Sequence, residues 1–110
     1  MEKLSIIIPI YNEAATCEEL IKRVLRVKIQ AKKEIIIIES NSTDGTREII
    51  KQFQAEKEIQ IIWQEKPCGK GNAVQEGLKR ATGDIILIQD ADLEYKPEEY
   101  PKLLEPILKK

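Results

Sequence analysis

Four short runs rich in β-branched residues constrain this chain more than anything else in it. They span residues 4–10, 34–39, 59–64 and 84–89, and their centres, such as Ile35-Ile36-Ile37-Ile38, are apolar with little alternation. A strand with one wet face alternates polar and apolar residues; an unbroken apolar strand belongs in a sheet covered on both faces, which is usually parallel. Stretches with helical spacing separate the runs. Residues 14–27 place Leu20, Val24 and Val27 in step, with Leu25 beside them; residues 46–55 carry Ile49, Ile50 and Phe53; residues 71–81 carry Val74, Leu78 and Ala81. Residues 98–108 carry Leu103, Leu104, Ile107 and Leu108, with Pro101 suited to a first turn and Pro106 expected to kink or end the helix. The order β-α-β-α-β-α-β-α predicts a layered α/β fold with right-handed crossovers.

Composition narrows the chemistry. The 110 residues, with 18 basic and 19 acidic side chains, suit a single domain spanning 1–110. A net charge of −1 argues against a nucleic-acid partner, which calls for a basic face. There is no histidine, which excludes a Ser-His-Asp triad, a Cys-His pair and a His-ligated zinc site. Cys17 and Cys68 lack metal-ligand spacing and read as reduced thiols. No apolar run reaches the roughly 20 residues of a spanning helix, and no signal-peptide pattern opens the chain. The expectation is a cytoplasmic protein, with work at a membrane surface left open.

Ligands of open parallel sheets bind beyond the carboxyl ends of the strands. Four polar segments fall there: Pro9-Ile10-Tyr11-Asn12-Glu13, then residues 39–46, then Lys66-Pro67-Cys68-Gly69-Lys70-Gly71-Asn72, then Asp90-Ala91-Asp92-Leu93-Glu94-Tyr95. Asp90 and Asp92, one residue apart at a strand end, suit a hard cation such as Mg²⁺ or Mn²⁺ that takes its other ligands from phosphate and water; a capped turn is the structural alternative. Gly69-Lys70-Gly71 before a helix suits an anion, or else only a turn. Ser42-Thr43-Asp44-Gly45-Thr46 has a local explanation in helix capping, whereas Glu39, Ser40 and Asn41 leave the strand directly and are freer to meet a ligand. Tyr11, Asn12 and Glu13 offer an aromatic face, an amide and a carboxylate to a base or ribose, or alternatively Asn12 or Thr16 opens the first helix.

Taken together, these four segments resemble the nucleotide-sugar half of a family 2 glycosyltransferase, of the GT-A fold, and within it the dolichyl- or polyprenyl-phosphate mannose and glucose synthases. The resemblance runs from Lys3 to Pro101 and rests on four motifs in register. It implies a Rossmann-like three-layer α/β/α fold with a mainly parallel four-stranded sheet, the N-terminal part of a GT-A domain. It implies that Pro9, Tyr11, Asn12 and Glu13 line the nucleoside pocket, that Glu39, Ser40 and Asn41 read the base, and that Lys70 and Gly71 lie beside the nucleotide. Asp90 and Asp92, with Ala91 between them, would be the DxD motif holding Mg²⁺ or Mn²⁺ on the diphosphate, with Asp92 catalytic. The implied reaction is inverting hexosyl transfer from a GDP- or UDP-linked donor to a polyprenyl phosphate or other hydroxyl acceptor.

Two departures qualify it. Glu39-Ser40 stands where the family usually has Asp-Asp, which leaves uridine and guanosine both open. The chain also lacks the acceptor half that relatives carry beyond the DxD motif. Hence a second expectation, a non-catalytic nucleotide-sugar-binding module, and a third, a receiver-type phosphoacceptor domain, disfavoured because its acidic pair should follow the first strand. Apolar surface left where the missing half would pack predicts a homodimer or a partner chain.

Overall fold

The computed structural model describes residues 2–92 and 96–108, with side chains as far as Glu105. Leu93, Glu94 and Tyr95 of the fourth motif, the side chains of Ile107 and Leu108, and the terminal Lys109 and Lys110 therefore lie outside the described residues. Strands β1 (Lys3–Ile10), β2 (Lys32–Glu39), β3 (Ile59–Trp63) and β4 (Ile85–Ile88) form one all-parallel sheet in the order β3-β2-β1-β4. The apolar centres sit side by side in register, with Ile7 beside both Ile36 and Ile88 and Ile38 beside Ile62.

Alternate residues then divide between two cores. Leu4, Ile6, Ile8 and Ile10 of β1 join Ile35 and Ile37 of β2 beneath helices α1 (Cys17–Arg26), α2 (Thr46–Lys51) and α4 (Tyr100–Leu108). Ile7, Ile36 and Ile38 point the other way, against Ala73 of α3 (Lys70–Arg80). Burial on both faces is the reason the strands do not alternate. Each fully buried isoleucine contributes about 1.5–3 kcal/mol relative to exposure.

Several local expectations change. The buried stripe of α3 is Ala73 and Gly77, while Val74 is half-buried and Leu78 is 43% exposed. Small residues let this helix approach the sheet so closely that a Cβ on Gly77 would stand 2.7 Å from Ile7 Cγ2. The second helix ends at Lys51, and residues 52–54 continue as tight turns in which each N–H bonds the carbonyl three residues back. A 3-10 turn at Pro97–Glu99 leads into α4, and α4 runs through Pro106 to Leu108, because a missing N–H removes only one backbone bond from the last turn. The α1 C-terminus is closed by Lys33, whose Nζ donates to the carbonyls of Val24, Leu25 and Val27 at 2.7–3.0 Å. Burial lowers the Lys33 pKa from its ordinary value.

The chain runs outward from β1 to β3, then returns to the other side of β1 as β4. The loops after β1 and β4 therefore diverge, and a crevice opens between them at the topological switch point. On the α3 side of β4, Ile86 and Ile88 are each 45% exposed. No helix of the described residues is long and apolar enough to cross a membrane.

Candidate functional site

A cavity of about 520 Å³ occupies that crevice. Pro9 at the end of β1 lines it with Tyr11 and Glu13 from the loop that follows, Ser40 from just after β2, Lys70 from the start of α3, and Asp90, Ala91 and Asp92 from the segment after β4. Eight of the residues singled out in the sequence thus meet at one end of the sheet. Gly69, already noted as part of the Gly69-Lys70-Gly71 turn, lines it too, and so do Ile10, Pro67 and Ala73, which were not singled out. Gly69, at φ 89°, immediately precedes the helix; the other three read only as core or turn residues.

Asn12, Glu39, Asn41 and Gly71 do not line the cavity, and three of them have structural employment instead. Asn12, at φ 52°, donates its N–H to Ser42 Oγ at 2.8 Å and accepts from the Thr43 N–H at 2.8 Å. It ties the first loop to the second and does not open α1. Glu39 is fully buried. Its carboxylate accepts from Arg47 Nε at 2.7 Å and from the N–H groups of Asn41 and Ser42 at 2.9 and 3.1 Å. A buried carboxylate must be paired and hydrogen-bonded in this way. Arg47 in turn lies 5.2 Å over the Trp63 ring and donates to Asn41 Oδ1 at 2.8 Å. Asn41, at φ 58°, donates from its amide to the Glu65 carbonyl at 2.7 Å. So of the segment expected to be free for a ligand, only Ser40 faces the cavity, its hydroxyl donating to Gln64 Oε1 at 2.6 Å.

Gly45, without a side-chain cap, stands at the N-cap of α2, and Asp44 and Thr46 instead bond each other across it. Asp44 Oδ1 accepts from the Thr46 N–H at 3.1 Å, at the start of α2. The Thr46 hydroxyl, with the N–H groups of Ala14 and Thr46, holds the Asp44 carboxyl below its ordinary range. Thr16 precedes α1 without a side-chain cap. Its hydroxyl instead donates to the Ala91 carbonyl at 2.6 Å and lies 3.1 Å from Glu13 Oε2.

The segment carrying the paired aspartates is held from several sides. Besides Thr16, the buried Gln89 donates to the Asp90 carbonyl at 3.0 Å, and the Tyr100 hydroxyl donates to Gln89 Oε1 at 2.5 Å. Burial pushes the Tyr100 phenol well up, so it stays a neutral donor. Asp90 is ion-paired with Lys70, and Asp92 is exposed. The described residues hold no group of three acids, cysteines or histidines able to enclose a metal. Two accessible carboxylates with oxygen donors alone fit a hard cation that completes its shell with phosphate oxygens and water.

Comparison with known proteins bears on the family and the fold. Over 105 residues the chain is 37% identical to the dolichol-phosphate mannosyltransferase of Pyrococcus furiosus, covering 96% of this chain and 30% of that protein. The chain therefore spans about a third of that relative's length. Among solved structures it resembles the mannosyltransferase PcManGT of Pyrobaculum calidifontis in complex with GDP-Man and Mn²⁺, at TM-score 0.74 and 29% identity over 83% of this chain and 28% of that one. It also resembles the glucosyl-3-phosphoglycerate synthase of Mycobacterium tuberculosis with Mn²⁺, UDP and glucosyl-3-phosphoglycerate, at TM-score 0.78 and 27% identity over 97% of this chain and 40% of that one. These likenesses identify the fold as the N-terminal part of a GT-A domain and set aside the receiver-type alternative. The model of Glycosyl transferase family 2 matches residues 5–110, and the chain belongs to that family.

Proposed function

We propose that this domain is the donor half of a glycosyltransferase. It binds a hexose linked to GDP or UDP, together with Mg²⁺ or Mn²⁺, for transfer to a polyprenyl phosphate or other hydroxyl acceptor. The observation that carries this reading is the convergence of Asp90, Asp92, Lys70 and the α3 N-terminus with Pro9, Tyr11 and Ser40 around one cavity. Its volume lies within the range of small-molecule sites.

On this reading Asp90 and Asp92 hold the cation on the diphosphate, and Asp92 is the catalytic carboxylate. The cation, when bound, stabilises the negative charge that builds on the departing nucleoside diphosphate. Lys70 and the N–H groups opening α3 take the phosphate oxygens, because a helix N-terminus favours an anion. Tyr11 and Pro9 offer apolar surface to the base or ribose, Glu13 a carboxylate, and Ser40 a hydroxyl. Glu39, Asn41 and Asn12 serve by shaping the loops, and Gly71 lies in the first turn of α3. A lipid-phosphate acceptor would bring the domain to a membrane surface from the cytoplasm.

The test is calorimetric titration of UDP- and GDP-sugars with and without Mn²⁺. The expected result is metal-dependent binding to the wild type and its loss in Asp92→Asn with the circular dichroism spectrum unchanged. Equal affinity in that variant would refute the metal assignment. A second reading is a binding module that holds nucleotide and metal without turnover. Donor hydrolysis, or transfer to a polyprenyl phosphate, separates the two: either one excludes the module.

A further inference from the structure

The ion pair between Lys70 and Asp90 joins the start of α3 to the carboxyl end of β4 across the mouth of the crevice. The two side chains are 59% and 42% exposed, so the pair is accessible. Its two ends differ in freedom. Asp90 belongs to a backbone held by the Gln89 amide and, at the next residue, by the Thr16 hydroxyl. Lys70 hangs on a flexible four-carbon stem, flanked by Gly69 and Gly71, at neither of which would a Cβ meet any atom within 4 Å. When a second cation competes for Asp90, the ammonium is therefore the part that moves. Its reach keeps it beside the α3 N-terminus, where an anion is favoured.

We infer that Lys70 is a resident counter-ion of Asp90 that is exchanged on ligand binding. A divalent cation on Asp90 displaces the ammonium, and the displaced ammonium turns to the diphosphate. The inference rests on the donor-site reading above and adds a coupling to it. By linkage, cation and nucleotide strengthen each other's binding beyond what the direct metal–phosphate contact supplies, since either one releases the group the other needs. Lys70 is thus a positioning residue for both ligands.

The experiment titrates Mn²⁺ alone into the chain, following free Mn²⁺ by electron paramagnetic resonance, then repeats it with saturating UDP or GDP. Lys70→Gln is expected to bind Mn²⁺ alone about threefold more tightly than wild type, the scale of an exposed ion pair. The ratio of Mn²⁺ affinities with and without nucleotide is expected to shrink by a similar factor. Lys70→Arg, which restores a cation, is expected to behave like wild type. Lys66→Gln, which removes a lysine from the same loop, controls for net charge. An unchanged or weaker Mn²⁺ affinity in Lys70→Gln, an equal gain in Lys66→Gln, or an unchanged ratio overturns the exchange. If Asp90→Asn still loses Mn²⁺ in those cases, the donor-site reading stands. Failure of the wild type to bind Mn²⁺ at all removes both.

Discussion

Two glutamates separated by five residues show how a carboxylate's neighbours decide its work. Glu39 sits at the carboxyl end of β2, where a ligand would be met, yet its lone pairs are taken by Arg47 and two backbone N–H groups. Glu34 lies toward the other end of β2, away from the cavity. Burial opposes its ionisation, but the Thr82 N–H, the hydroxyls of Ser5 and Thr82, and Lys3 together hold its carboxyl down at about 2. Because the folded state binds this proton less readily, its contribution to stability is complete above the unfolded value near 4.5. It is lost as pH falls from there toward 2. Glu34→Gln is expected to flatten the fall in stability between those limits, measured by urea denaturation at several pH values, while leaving nucleotide titrations at neutral pH unchanged. A wild-type slope in the variant would contradict the assignment. That both glutamates are structural was not legible in the sequence, because Arg47, Thr82 and Lys3 reach them only through tertiary contacts.

At the scale of elements, α3 carries the sharpest lesson. Its sequence offers Val74 and Leu78 as the apolar stripe, but the helix turns its smallest residues to the sheet. The close approach at Gly77, with Ile7 and Ile38 within 3.0 Å of a notional Cβ, sets how far α3 sits above β1 and β2. The same helix carries Lys70 at its N-terminus, so packing at Gly77 also positions the ammonium. Gly77→Ala is expected to lower stability by about 1–3 kcal/mol, as overpacking does. It should also weaken nucleotide binding, read by thermal unfolding and by titration. A stabilised variant would show that α3 lifts away at no cost. Strand positions, by contrast, were readable to within about two residues, because an unbroken run of isoleucine leaves few alternatives to a buried strand.

Among the described residues, β4 stands at an edge of the sheet and has an apolar face. Ile86 and Ile88 are each 45% exposed on β4, and the proposal is that a second copy or a partner chain covers them. Ile86→Lys with Ile88→Lys is expected to shift the solution mass, by light scattering, from dimer to monomer while leaving Mn²⁺-dependent nucleotide binding intact. A wild type that is strictly monomeric alone would count against a homodimer and leave a partner chain to be found by its effect on that mass.

The family came from a resemblance in four motifs; from the pattern of the sequence itself came the layer order, the parallel sheet and the four loops that face one edge. Those depend on local pattern: apolar runs, helical spacing and turn residues whose meaning does not wait for distant neighbours. The tertiary structure decided which residues of those loops point inward. Glu39 and Asn12 are drawn into loop-to-loop bonds, Ser40 is left facing the cavity, and Lys70 meets Asp90 across about 20 residues of chain. Polar side chains choose partners by geometry in three dimensions, and their spacing along the chain does not record the choice.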